Sequence, residues 1–118
     1  MEHIISALFA ARNQAHRLHL RTRSFAAHVA LGELYEELVE LADSLAEMYQ
    51  GKYGLMEIPP LDQSLVATDD AVTFIKNFAV WAEAARSAFD PADTFILNHW
   101  DTVLSTIYST KYKLENLQ

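Results

Sequence analysis

The chain has 118 residues, 51% of them apolar, a net charge of −7 and no cysteine. That length supports one domain, residues 1–118, around a single core. Missing thiols exclude disulfides, thiolate zinc sites and iron–sulfur clusters, and the acidic balance argues against nucleic acid as a partner, because DNA binding needs a basic surface to displace counterions.

Four helices are expected. Residues 2–21 place Ile5, Leu8, Phe9, Arg12, His16 and His19 within about a third of the circumference at 100° per residue. Thr22 to Ser24 is a short break, with Ser24 a suitable N-cap. Residues 25–50 carry a stripe of Leu31, Leu34, Tyr35, Leu38, Leu41, Ala42, Leu45, Met48 and Tyr49, ended by Gly51. Residues 51–66, with Pro59-Pro60 in their middle, form one long connection. Residues 68–89 make the third helix, capped by Thr68 with Asp69 and Asp70 in its first turn. Asp90-Pro91-Ala92-Asp93 is a stop-and-restart signal, in which Asp90 caps and Pro91 takes the first position of a helix over 91–115. Two short links around a long central one predict an all-α four-helix bundle with a ferritin-like crossover. No run is apolar enough for a membrane span. The start, Met1-Glu2-His3-Ile4-Ile5, lacks the basic residues and small-residue cleavage site of a signal peptide, so the expected compartment is the cytoplasm.

The second helix has another face to explain. Phe25, His28, Val29, Gly32, Glu36, Val39, Glu40, Asp43 and Glu47 mix apolar and acidic residues, which suits an interface better than a solvated surface. Gly32 costs roughly 1 kcal/mol relative to Ala inside a helix, and is easiest to justify if another backbone comes close there. His16 and His28 flank the first turn and fall at similar heights on two antiparallel helices. Asp43 and Glu47, four apart, share a face and can hold one cation. The 15 residues from His28 to Asp43 span roughly 22 Å of helix, whereas metal–ligand bonds are about 2 Å. One ion can join all four only across a two-fold axis between two copies, which yields two equivalent sites. Imidazole with carboxylate suits iron, zinc or manganese. His19, three residues after His16, is a further candidate as a ligand or as a partner that orients one. His99 and Asp101 do not share a face and read as structural, and Arg12 is expected to pair with an acid or to reach the edge of the bundle.

The intervals of 12, 15 and 4 between His16, His28, Asp43 and Glu47 resemble the ferroxidase motif of the Dps miniferritins. Phe25, Tyr35 and the pair Ala46-Glu47 fit the same pattern, and the likeness runs without a gap from about residue 15 to residue 47. It implies a ferritin-like fold, Fe²⁺ held by two His of one subunit and the acids of its two-fold mate, oxidation by peroxide or oxygen, and a dimer that can grow to a dodecamer. Two positions depart from that family: Arg17 stands where it usually has Trp, and Gly32 where it usually has Asp. There is no basic N-terminal tail of the kind that grips DNA. The stretch from His19 to Gly32 is also similar to small phage-encoded proteins of unknown function. The rival expectation is a non-catalytic helical dimer or oligomer that acts as a structural or interaction module.

Overall fold

The structure, a computed structural model, describes residues 1–61 and 67–117. Helix α1 spans Glu2–Arg21, as its apolar spacing predicts, and buries Ile5, Leu8, Ala11, Ala15 and Leu18. Helix α2 spans Phe25–Tyr53, and the Ser24 hydroxyl caps it by accepting the Ala27 N–H at 3.2 Å. The expected stop at Gly51 is wrong by one turn. The helix runs on to Tyr53 and ends where Gly54 takes φ 93°, a conformation that side chains with a Cβ rarely adopt.

Helix α3 spans Ala71–Ala85 and continues into a short 3₁₀ turn at Arg86–Ala88. Its cap is Asp70, whose carboxylate accepts the Thr73 N–H at 3.0 Å, while the Thr68 hydroxyl accepts from Asp70 N–H one step earlier. Helix α4 spans Thr94–Asn116, not 91–115. Asp90 holds a turn by accepting the Ala92 N–H at 2.9 Å, which leaves Pro91 in that turn rather than at the first helical position. Asp93 begins the helix instead. Its main-chain carbonyl accepts from Ile96 and Leu97, while its side chain turns inward to Lys52 and Tyr53.

The four helices form a bundle, with no strand among the described residues. Helix α1 packs on α2 and α3, and α4 packs on the same two. Glu33 meets Lys113, Leu41 meets His99 and Lys52 meets Asp93, so α2 and α4 run antiparallel. At the other seam, Arg17 and Arg21 pair with Asp69 just before α3. Helix α3 therefore starts at the same pole as α2, and the connection must travel back along the bundle. It does so beside α1: the Ser6 hydroxyl donates to the Pro60 carbonyl, and Gln14 and Arg17 donate to the Thr68 carbonyl. This is the long crossover expected from the chain. Residues 62–66 of it lie outside the described residues.

The core holds Leu31, Leu34, Leu38 and Leu45 of α2 against Phe74, Ile75 and Trp100, all essentially without solvent contact. Each such side chain stabilises the fold by about 2 kcal/mol. Trp100 also donates its indole N–H to the Ala82 carbonyl at 2.8 Å, tying α4 to α3. This core fixes the rotation of α2 about its axis. On its remaining face Phe25, Val29, Glu36, Val39, Glu40, Asp43 and Glu47 are exposed, while His28 and Gly32 are half-buried.

Candidate functional site

Five side chains gather where α1 and α2 meet near their shared turn. Arg12, His16 and His19 come from one face of α1; His28 and Tyr35 come from α2. His19 and His28 stack face to face, with ring centroids 3.7 Å apart and planes 17° from parallel. His16 stacks on Tyr35 at 4.1 Å, and the Arg12 guanidinium covers that same tyrosine ring at 5.0 Å. His19 links the two stacks, 6.1 Å from His16 and edge-on to Tyr35 at 5.3 Å.

The histidine pair is tied twice. His19 Nδ1 lies 2.5 Å from the His28 carbonyl oxygen, and His28 Nδ1 lies 2.8 Å from the His19 carbonyl oxygen. A carbonyl oxygen only accepts, so both Nδ1 atoms carry their protons. In the neutral rings, Nε2 is then the atom with the free lone pair. Among the described residues, neither Nε2 has a hydrogen-bond partner. His28 also satisfies a carbonyl in the last turn of α1, one of the four that no intrahelical N–H reaches.

Gly32 has its close neighbour, but a ring rather than a backbone. A Cβ placed on it would stand 3.1 Å from Cε1 and 3.2 Å from Nδ1 of His19. The missing side chain makes the notch into which His19 packs. Arg12, expected to pair with an acid or to reach the edge of the bundle, pairs with no acid among the described residues: Nη1 donates to Asn13 Oδ1 at 3.2 Å, and its buried Nε has no acceptor.

The acids lie elsewhere. Asp43 and Glu47 are exposed on the outer face of α2, on the far side of its midpoint from His28. Glu36 and Glu40 are exposed between them and the histidines. None of the four takes part in an ion pair or hydrogen bond among the described residues, and no group of three or more His, Asp or Glu there could hold a metal ion. The structure thus brings His16, His19 and His28 into one cluster and leaves Asp43 and Glu47 apart, as helical rise requires within one chain. Phe25 is 80% exposed, and Leu20, Val29 and Val39 are exposed nearby.

A part-buried contact that the sequence gives no reason to expect, of Lys52 and Tyr53 with Asp93, ties the end of α2 to the start of α4. The Asp93 carboxylate is buried and accepts from Lys52 and Tyr53, which hold it below the ordinary carboxylate range. It helps to line a cavity of about 190 Å³ with Met1, Ile4, Tyr49, Tyr53 and Phe89 at the pole opposite the histidines. His99, expected to be structural, is so: its Nε2 donates to the Leu41 carbonyl at 2.9 Å, and Asp101 pairs with Arg86.

With this geometry in view, comparison with known proteins adds a family. The model of a family of unknown function, DUF5856, matches residues 19–114. The chain belongs to that family. The matched span takes in His19, His28, Asp43 and Glu47 and begins three residues after His16. Among relatives, the chain is 26% identical over 110 residues to an uncharacterized 14.6 kDa protein from the mobD–ri intergenic region of Enterobacteria phage T4. That alignment covers 93% of this chain and 84% of the phage protein. The expected likeness to small phage proteins is met by this relative. No solved structure matches the chain.

Proposed function

We propose that the bundle is of the ferritin-like kind, and that two copies pair through the outer face of α2 to bind and oxidise Fe²⁺ at two equivalent intersubunit sites. In this reading His16 and His28 of one copy meet Asp43 and Glu47 of the other. The observation that carries it is the state of the two half-sites. The His28 Nδ1–H is committed to a carbonyl, which presents Nε2 as a ligand, while the acids on the same helix stand unpaired in solvent. Exposed Phe25, Val29 and Val39 beside them give the pairing an apolar component. The carboxylates would favour the ferric over the ferrous state. Two Fe²⁺ would each give one electron to a peroxide, whose O–O bond breaks with uptake of two protons to leave two waters. Zinc or manganese fits the same donors.

One observation favours the second reading, a helical dimer that oxidises nothing. Gly32 offers no acid beside His28, and the space above it is filled by His19. The test for both is anaerobic Fe²⁺ titration by calorimetry, with assembly mass measured on the same sample and on an Asp43→Ala, Glu47→Ala variant. Saturable heat in the wild type that the variant loses, followed by ferric colour on adding peroxide, supports the ferroxidase reading, and a mass near a dodecamer would add storage. A dimer that gives no heat rejects it and leaves the structural module.

A further inference from the structure

We infer that His19 is a positioning residue, not a ligand: it locks His28 in the tautomer and plane that present Nε2 to the metal. The inference rests on the metal-site reading above, but its central observation can be tested without metal.

Stacking argues against direct ligation. An imidazole lone pair lies in the plane of its ring. Two rings stacked at 3.7 Å and 17° aim their lone pairs in nearly parallel, separate planes. An ion about 2 Å from one nitrogen cannot lie in both. What the arrangement does provide is a clasp. The His19 carbonyl takes the Nδ1 proton of His28, the His19 ring supports the face of His28, and the His19 Nδ1–H returns to the His28 carbonyl. The ring is itself seated in the notch at Gly32, where a Cβ would crowd it. Tyr35 closes its edge at 5.3 Å. Every contact of the His19 ring therefore acts to hold a plane. Groups that hydrogen-bond the remote nitrogen of a ligating His set its tautomer and typically change metal affinity by about 10- to 100-fold.

The experiment is ¹⁵N NMR of the imidazole nitrogens in the metal-free protein, well above the ordinary imidazole pKa, with Fe²⁺ affinity measured anaerobically on the same variants. The wild type should show His28 with its proton on Nδ1. His19→Leu keeps the main-chain carbonyl that accepts from His28 Nδ1 but removes the ring that supports the face of His28 and the bond back to its carbonyl. With its plane no longer held, His28 should turn away from that carbonyl toward the Nε2–H form, and Fe²⁺ binding should weaken about tenfold or more. His19→Asn keeps an N–H donor near the place of Nδ1 and should largely restore both. A wild-type His28 protonated on Nε2 overturns the inference. So does a His28 tautomer unchanged in His19→Leu, which would make the ring mere packing. Equal loss of affinity in the Leu and Asn variants, with His28 unchanged, would make His19 a ligand and overturn it too. If His19→Leu does not fold, Gly32→Ala pushes the same ring from the other side and should move the same signal. Should the wild type bind no Fe²⁺, the site reading fails while the NMR still decides whether the clasp exists.

Discussion

The ring of His19 lies 3.1 Å from where a Cβ on Gly32 would stand. Alanine normally improves a helix interior by about 1 kcal/mol over glycine, but here the added methyl meets a ring held by His28 on one face, by Tyr35 edge-on and by a hydrogen bond at Nδ1. Overpacking of this kind costs roughly 1–3 kcal/mol. Gly32→Ala should therefore lose up to about 2 kcal/mol instead of gaining 1. Gly51→Ala, with nothing within 4 Å of the new Cβ, is the control and should gain up to about 1 kcal/mol. Urea denaturation of the pair decides it: equal gains would mean that the His19 ring yields freely.

An intersubunit site makes a prediction that no single-chain site shares. A variant without His16 and His28 keeps its acids, and a variant without Asp43 and Glu47 keeps its histidines. Neither should bind Fe²⁺ alone. In a mixed dimer one of the two sites recovers all four groups and the other loses all four, so unfolding and refolding the variants together should restore saturable heat to the mixed species. No recovery in a sample shown by mass to contain mixed dimers would sink the two-fold site.

Asp93 predicts an acid-sensitive component of stability. Hydrogen bonds from Lys52 and then Tyr53 lower its pKa in the folded state. A depressed carboxylate pKa contributes stability that is full above the unfolded value and is lost as pH falls through the folded one. Asp93→Asn should lower the denaturation midpoint at neutral pH. The gap to wild type should then narrow as pH drops below the ordinary carboxylate range, because the wild type loses there what the variant never had. A gap independent of pH would mean that the carboxylate charge contributes nothing.

Helix boundaries show what local sequence can and cannot specify. Helix α1 and the start of α2 were fully legible, because an apolar period and the Ser24 cap are local signals. Capping elsewhere depended on distant partners. Asp90 and Asp93 are equivalent by local rules, but Lys52 and Tyr53, some forty positions away, draw Asp93 inward. Thr68 and Asp70 compete for the start of α3, and Thr68 serves instead to anchor the crossover to Gln14 and Arg17. In the candidate site, the approach of His16 and His28 across the first turn was legible from their spacing, as was the separation of Asp43 and Glu47 from them within one chain. The reciprocal bonding of His19 and His28 was not, since bonds between side chains and carbonyls of two helices leave no periodic trace. Gly32 pointed to a close approach, but of the His19 ring and not of the backbone expected there.

Trp100 tests the other half of the bundle. It is fully buried, and its N–H satisfies the Ala82 carbonyl. Trp100→Phe removes the donor and part of the packing, and should cost roughly 2–4 kcal/mol. Because the histidine cluster lies on α1 and α2, the folded variant should keep the His28 NMR signature of the wild type. A changed signature would mean that the two halves are coupled.

The crossover has a consequence for engineering. Because the chain returns along α1 before α3 begins, α1 starts at the pole of Met1 and Asp93, while α4 ends near the opposite pole, where Lys113 meets Glu33. In a pair related by a two-fold axis across α2, one copy is inverted relative to the other. The end of α4 in one copy then comes to the same pole as the start of α1 in its mate. A tandem gene joining two copies through a short flexible linker could fold as a single-chain dimer, whereas a parallel pair would need a tether long enough to run the length of a helix, about 35 Å for the 23 residues of α4. The shortest linker that preserves the dimer would thus report the orientation of the two copies without any metal.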